Sequence, residues 1–374
     1  GKCAIMRDLA QGIGFGTTEL TVLRPRFAQT VSEYLFYLLS SEPFRVLGES
    51  EMYGAGGQKR VPDAFVRNFR IAFPPIDEQK QIAEFLNHEA ARIDALIEEQ
   101  QRLIELLDEK RQAVISHAVT KGLDPDAPMK DSCVEWLGDV PAHWAVSALR
   151  HFATIRGGLA IGKKYPEAQN LIEVPYLRVA NVQDGYVDLS ELKTIGVFNA
   201  EADHYALDEG DVLMNEGGDN DKLGRGTVWD APVEHCLHQN HVFAIRCGCR
   251  LLPEWLALFT RSASARAYFY LYSKQSTNLA SISSSNVMSC VIPVPPVQEQ
   301  QQILKQVSSR LDKVAGLIDE AGAAIKLLKE RRSALISAAV TGKIDVRNWQ
   351  PEAGLTEGLP MAAEDSATYE ASEP

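Results

Sequence analysis

Apolar and polar positions follow two rhythms along this chain, and the slower one occurs twice. From Asp77 to about Thr120 there is neither Pro nor Gly, and strong helix formers dominate. Leu86, Ile93, Leu107 and Val114 recur every seven residues, interrupted at that position only by Gln100, and Leu96 and Leu103 supply a second seam. A 3.5-residue repeat of this kind predicts a coiled-coil helix roughly 65 Å long at ~1.5 Å per residue. One narrow apolar stripe needs a partner, and the chain contains it. Val307, Val314, Leu328 and Leu335 stand in the same register, with Ala321 in the place of Gln100 and Leu317 and Ala324 as the second seam. The two helices are expected to pair antiparallel.

The register match is part of a longer duplication. Pro74-Pro75, Glu78-Gln79 and Ile82 recur as Pro295-Pro296, Glu299-Gln300 and Ile303, at a constant offset of 221 residues. Each copy leads into its long helix, and the helices end in the related runs Ile115-Ser116-His117-Ala118-Val119-Thr120 and Ile336-Ser337-Ala338-Ala339-Val340-Thr341. Upstream, Tyr34-Leu35 answers Trp255-Leu256, and Val66 answers Val287. A repeat of this length predicts two modules, each a globular part followed by a helix.

The globular parts carry the faster rhythm. Thr18 to Leu23 alternates like a half-buried strand, Val31 to Leu47 is an apolar helical pattern, and Val66 to Phe73 reads as a short strand stopped by Pro74-Pro75. In the second module, strands are expected at Tyr176–Val182, within Tyr205–Met214 after the turn Glu209-Gly210-Asp211, and at Val242–Ile245. One helix or two short ones are expected over Pro253–Tyr272. Gly54-Ala55-Gly56-Gly57 and the stretch from Gly217 to Gly226 read as flexible loops. The fold class is α+β: two mixed α/β domains separated by two long helices. The boundaries are 1–75, the C-terminal part of a first domain; 76–121, the first helix; 122–132, a linker; 133–293, the second domain; 294–343, the second helix; and 344–374, an acidic tail that reads as disordered from Pro351. The opening Gly1-Lys2-Cys3 lacks an initiating Met and resembles the edge of an existing strand, so further sequence is expected before it.

Composition narrows the class. No apolar run approaches the ~20 residues needed to cross a bilayer, and six cysteines in 374 residues make no disulfide framework. A cytoplasmic protein without membrane contact is expected. Net charge is −12, which opposes a generally basic, histone-like grip on nucleic acid, but its distribution is uneven. Residues 1–75 carry +2 and 293–347 carry +3, whereas 124–292 carry −7.

Chemistry within the chain has thin support. His235, Cys236, His238 and His241 with Cys247 and Cys249 are zinc-ligand types, but no paired Cys-x-x-Cys spacing is present. Alternate residues of a strand point to opposite faces, so no metal site is assigned. Pro125-Asp126 with Glu135 is followed by Trp136-Leu137 rather than a nuclease-like acidic-x-Lys ending. No Asn-Pro-Pro-Tyr run of an adenine methyltransferase occurs, and the Gly217–Gly226 loop has no Gly-Lys-Ser ending to cradle phosphate. No catalytic residue is assigned.

Several motifs in order resemble the specificity subunit of type I restriction-modification systems. They are Pro141-x-x-Trp144; Tyr176-Leu177-Arg178-x-x-Asn181-Val182 with Gly185; and Leu207-x-x-Gly210-Asp211-Val212-Leu213. Gly224-Arg225, Gln239-Asn240 and the closing Ile292-Pro293-x-Pro295-Pro296-x-x-Glu299-Gln300-x-x-Ile303 follow. Gly14-Phe15-Gly16-Thr17-Thr18-Glu19 resembles a further family motif in the first module. The resemblance implies two target-recognition domains, each reading half of a bipartite double-stranded DNA target, and a chain without its own chemistry or cofactor. It also implies docking of modification subunits, two being expected, that use S-adenosylmethionine to methylate adenine, and of restriction subunits that use ATP and Mg.

Base discrimination needs donors and acceptors on loops or strands that enter a groove. The expected DNA contacts are Lys222, Arg225, Lys274, Gln275 and Asn278 in the second domain, and Gln58, Lys59 and Arg60 in the first. Arg178, on a strand, is the weakest of the cations, since it can pair inside the domain. Glu78, Gln79, Glu299 and Gln300, with the basic pairs Lys110-Arg111 and Arg331-Arg332, are the expected docking positions for partner subunits. The basic pairs can instead satisfy neighbouring carboxylates on their own helices. The competing class is a DNA-free scaffold, two modules on a coiled coil that bind other proteins.

Overall fold

A computed structural model describes the chain except residues 1, 8, 10, 12, 18–19, 55–58, 163–170, 219–222, 225, 276–279 and 352–374. The chain forms two compact units, Gly1–Glu105 with Ile318–Pro374, and Leu106–Leu317. Its longest elements are helices α4, Ile76–Lys121, and α9, Val297–Val340. Each unit takes the first part of one long helix and the last part of the other, so both helices contribute to both units.

In the first unit, α1 (Ser32–Ser40), α2 (Glu42–Ser50) and α3 (Asp63–Asn68) precede α4. Tyr34, Tyr37 and Leu38 of α1 share one core with Ile82 and Leu86 of α4 and with Ile336, Ala339 and Val340 of α9. Farther along α4, Asp94 pairs with Arg332 at 2.9 Å. Ascending α4 therefore meets descending α9, and the helices run antiparallel in this unit.

Two strand expectations fail here. Leu20 to Leu23 has no strand conformation and is exposed. Val66 lies in α3, and Arg70 to Phe73 is neither helix nor strand and makes no ladder bonds among the described residues. The cause is pairing, not propensity. The stretch equivalent to Arg70–Phe73 in the second module is the strand Val291–Val294, which pairs antiparallel with Ala145–Ala148.

The second unit holds the strands. In chain order they are β1 (Met129–Asp131), β2 (Asp139–Pro141), β3 (Ala145–Ala148), β4 (Ala153–Gly157), β5 (Ile172–Leu177), β6 (Lys193–Val197) and β7 (Val212–Asn215). Next come β8 (Gly217–Gly218), β9 (Gly226–Val228), β10 (Leu237–His238), β11 (Val242–Cys247), β12 (Lys274–Gln275), β13 (Ala280–Ser281) and β14 (Val291–Val294). Helices α5 (Asn199–Tyr205), α6 (Pro253–Thr260), α7 (Ala263–Tyr272) and α8 (Ser284–Ser289) are interspersed. An antiparallel sheet ordered β4-β11-β7-β9 is the centre, because all of Val212–Asn215 and Val242–Ile245 is buried. A sheet ordered β10-β5-β6 and another ordered β12-β13-β8 accompany it.

Local differences from the sequence reading have plain causes. The predicted 122–132 linker contains β1, paired to β2. Strand β5 ends at Leu177, because Asn181 accepts the Arg178 N–H and closes a 3-10 turn. The Pro253–Tyr272 stretch is two helices, broken where Ser262 caps α7 by accepting the Ala265 N–H. The acidic tail from residue 352 onward lies outside the described residues.

The helix seams need one correction. Leu86, Ile93, Leu107, Val307, Val314 and Ala321 are buried, and Val114, Leu328 and Leu335 are half-buried. Leu96, Leu103 and Leu317, however, are 45%, 41% and 47% exposed. The true companions stand four residues after the heptad position rather than three, at Ala90, Ile97, Ala118 and Ala339. At 3.6 residues per turn, neighbouring positions differ by about 100° around the helix, so only one of the two choices faces the partner.

Candidate functional site

Each module is tied to the start of its long helix by a buried glutamine. Gln300 is fully buried; its amide nitrogen donates to the carbonyls of Arg250 (2.9 Å) and Pro295 (2.8 Å), and its oxygen accepts the Leu252 N–H at 2.9 Å. Gln79 does the same at the equivalent positions, donating to Gln29 and Pro74 and accepting from Val31. Every polar atom of these amides is spent inside its module. The expectation that Gln79 and Gln300 dock a partner is therefore corrected: neither side chain reaches the surface.

Glu299 serves the neighbouring motif. Its carboxylate accepts the Trp144 indole N–H at 3.0 Å and lies 2.8 Å from His143 Nε2. Trp144 is buried edge-on against Trp255, whose indole donates to the Pro293 carbonyl at 3.0 Å. Pro141-x-x-Trp144 and Glu299-Gln300 are thus two halves of one clasp at the base of the second module. Glu78, the counterpart of Glu299, is half-buried near Tyr34, whose phenol is pushed up to about 12 by burial and then by Glu78.

The related runs at the helix ends complete the anchoring, and they do so crosswise. Ser116 of α4 accepts the Ala263 N–H at 2.9 Å, satisfying the first N–H of α7, and Gln112 donates to the Arg261 carbonyl at 2.7 Å. At the equivalent position Ser337 of α9 accepts the Glu42 N–H at 3.0 Å, at the start of α2. The helix that leaves one module thereby caps a helix of the other.

Inside the second unit the recognisable motifs are structural. Asp211, buried behind the Gly210 turn, accepts from Arg246 Nε (2.9 Å) and Nη2 (3.0 Å), from Arg156 (3.3 Å) and from the Asp208 N–H (2.9 Å). Asn181 donates to the carbonyls of Asp188 and Glu191 and holds the turn after β5. Arg178 reaches the Glu191 carbonyl at 3.1 Å and its carboxylate at 3.5 Å, so it is paired within the domain.

The zinc-ligand types do not converge. Among the described residues no three His, Cys, Asp or Glu side chains gather as a metal site. Burial pushes the thiols of Cys236 and Cys247 up to about 12, which keeps them protonated at neutral pH, and Cys236 donates to the Leu237 carbonyl. His238 is buried with Nδ1 2.6 Å from the Val242 carbonyl.

The expected contact residues divide by location. Lys222, Arg225, Asn278 and Gln58 lie outside the described residues. Lys274 and Gln275 are exposed on β12; Lys59 and Arg60 are exposed, and Arg60 pairs with Tyr53 through both backbone bonds. Strand β13 joins β12 and β8 so that Gly218, Ala280 and Gln275 are neighbours across one sheet. Of the basic pairs, Arg332 is held by Asp94 and Arg111 by Asp108 at 3.0 Å, while Lys110 and Arg331 are exposed. The sequence reading overlooked Tyr270 and Leu271, two exposed apolar residues ending α7 beside Lys274; the signal available was the absence of carboxylates around them.

Fold and anchoring together define a duplicated protein of two helix-tethered modules. Comparison with known proteins places it further. The family model described as the type I restriction modification DNA specificity domain matches residues 12–106 and 141–320. The chain belongs to that family, the specificity subunits of type I restriction-modification systems. It is 25% identical over 333 residues to the type I restriction enzyme EcoKI specificity subunit of Escherichia coli K12, a match covering 88% of this chain and 69% of that one. It is 49% identical over 82 residues to the EcoAI specificity subunit of Escherichia coli, covering 22% of this chain and 14% of that one. A solved structure from a study of complex assembly and conformational transition in the type I R-M system shares the fold, with a TM-score of 0.63 at 18% identity over 83% of this chain and 71% of that one. Specificity subunits of these systems are non-catalytic. Among the described residues no helix is long and apolar enough to cross a membrane.

Proposed function

We propose that this chain is the DNA-reading and assembly-organising subunit of a type I restriction-modification complex. Each module reads one half of a bipartite duplex target, and the two long helices dock two modification subunits that methylate adenine with S-adenosylmethionine. Restriction subunits that use ATP and Mg join the larger assembly. The observation that carries the reading is the repeated anchor: Gln79 and Gln300 make the same three hydrogen bonds at positions 221 residues apart. A frame preserved so closely while the loops mounted on it differ is what reading two unlike half-sites calls for. In this reading Lys274 and Gln275, with Lys222, Arg225 and Asn278, face DNA from the second module, and Gln58, Lys59 and Arg60 face it from the first. Lys110, Arg331 and the exposed Leu96, Leu103 and Leu317 are the positions left open on the long helices for partner subunits.

The test is reconstitution. The chain co-purified with its cognate modification subunit is expected to bind duplex DNA more tightly than the modification subunit alone, and to prefer one sequence over shuffled competitors. A soluble complex that binds all duplexes equally contradicts the reading.

A further inference from the structure

The second unit contains a long segment without an acidic residue, in a chain that has 50 acidic residues and a net charge of −12. From Trp255 to Gln298, 44 residues, there is no Asp or Glu, where the chain's average density would place about six. The repeated frame does not demand this. The equivalent stretch of the first module, Tyr34 to Asp77, contains Glu42, Glu49, Glu51, Asp63 and Asp77. Part of the segment is core, since α6 is wholly buried from Trp255 to Thr260, but α7 turns a face outward. Arg266 and Tyr270, and Ala267 and Leu271, are exposed at four-residue spacing and so share one side of the helix. Tyr270 is 57% and Leu271 67% exposed, and exposed Lys274 and Gln275 follow directly.

The opposite side of α7 is fastened. Tyr268 donates to the Asn286 carbonyl at 2.8 Å, Asn286 donates to the Tyr272 carbonyl at 2.8 Å, and Trp136 lies against Tyr268 and Tyr272. The helix ends in a fixed turn, with Ser273 donating to the Tyr270 carbonyl and Gln275 donating to Ser273, each at 2.9 Å. On the neighbouring loop Asp184 holds Arg261 at 2.9 Å and approaches Arg266 only to 3.8 Å, leaving the Arg266 guanidinium half exposed. A rigid, outward face that carries no carboxylate of its own, touched by Asp184 only at Arg266, and that combines two cations with an aromatic and an aliphatic side chain suits a polyanion bearing apolar edges.

We infer that the outer face of α7 is a DNA-contacting element of the second module: Arg266 and Lys274 sit on phosphates, and Tyr270 and Leu271 make apolar contact with base edges such as the thymine methyl group. The inference rests on the DNA-reading function proposed above and adds specificity-determining residues to it. Phosphate contacts set register and base contacts set sequence preference, so the two pairs have separable signatures.

The experiment uses the full chain assembled with its modification subunit, and two double variants, R266A/K274A and Y270A/L271A. Assembly is read by size-exclusion chromatography and thermal unfolding. Affinity is read by fluorescence anisotropy across a salt series, on a duplex carrying the motif that the complex methylates and on a shuffled duplex. R266A/K274A is expected to weaken both duplexes alike and to flatten the slope of log affinity against log salt by about 1.8, at ~0.9 per phosphate contact. Y270A/L271A is expected to keep the wild-type slope but lose roughly five- to tenfold of the preference for the target duplex. Wild-type affinity, slope and preference in both variants overturn the inference. Loss of assembly by Y270A/L271A with the folded chain intact overturns it differently, by making this face a protein contact. A wild-type complex without sequence preference removes the underlying function, and the inference with it.

Discussion

Gln300 accepts the backbone N–H of Leu252 at 2.9 Å from a fully buried position, and donates to two carbonyls from its amide nitrogen. The bond ties the first turn of α9 to the segment that enters α6. Gln300→Ala leaves the Leu252 N–H and the Arg250 and Pro295 carbonyls without this partner, and each buried orphan costs about 1–3 kcal/mol. We predict a loss of about 3 kcal/mol in urea unfolding. Gln301→Ala, one position along on the exposed face, is expected to stay within about 0.5 kcal/mol of wild type. Gln300→Glu should be worse than Ala near neutral pH, because a carboxylate would face two carbonyl oxygens, and should partly recover in acid. Equal effects at 300 and 301 would contradict the anchoring role.

The two leucine seams of α4 predict opposite outcomes for one substitution. Leu86 is fully buried with Ile336, Ala339 and Val340, so Leu86→Ala is expected to cost about 2–5 kcal/mol. Leu96→Ala and Leu103→Ala remove exposed side chains and gain helix propensity, so each should change the stability of the chain alone by less than about 0.5 kcal/mol. In the assembled complex the same two variants are expected to weaken retention of the modification subunit on size-exclusion chromatography.

Long-range sequence regularity was readable and fine placement was not. The 221-residue offset announces both long helices because a heptad pattern integrates over more than forty residues. The seam partner was misplaced by one position, since Leu96 and Ile97 are both apolar and only packing distinguishes them. Gln79 and Gln300 resemble surface residues by type, and only the carbonyls of Gln29 and Arg250, 50 positions upstream of each, explain their burial. Val66 to Phe73 has strand composition, but a strand needs a hydrogen-bonded neighbour, and none is described beside it. The candidate site was legible as loop chemistry at Lys274 and Gln275. The face of α7 escaped notice because its signal is a missing residue type.

His238 predicts a pH dependence. Burial lowers its proton affinity below the ordinary value of 6.5, against an opposing contribution from the Val242 carbonyl. Nε2 has no hydrogen-bond partner among the described residues, so a second proton there would be unsatisfied. Between the lowered folded value and 6.5 the unfolded chain binds more protons than the folded one, so stability rises with pH across that window. The contribution is complete above about 6.5 and is lost as pH falls below it, at no more than about 1.4 kcal/mol per pH unit. His238→Asn should lower stability at pH near 7.5 yet shrink the additional loss seen on going to pH near 5.5. An unchanged difference between the two pH values would assign the acid sensitivity to other groups.

Genome-wide mapping of adenine methylation asks whether this chain supplies DNA sequence choice to a methyltransferase complex. The chain, expressed with its cognate modification subunit in a host without adenine methylation, is the sample. Methylated adenines are expected to be confined to one bipartite motif, two short specific halves around a fixed nonspecific spacer. Methylation at a single continuous motif, or none from a soluble and assembled complex, would contradict that role.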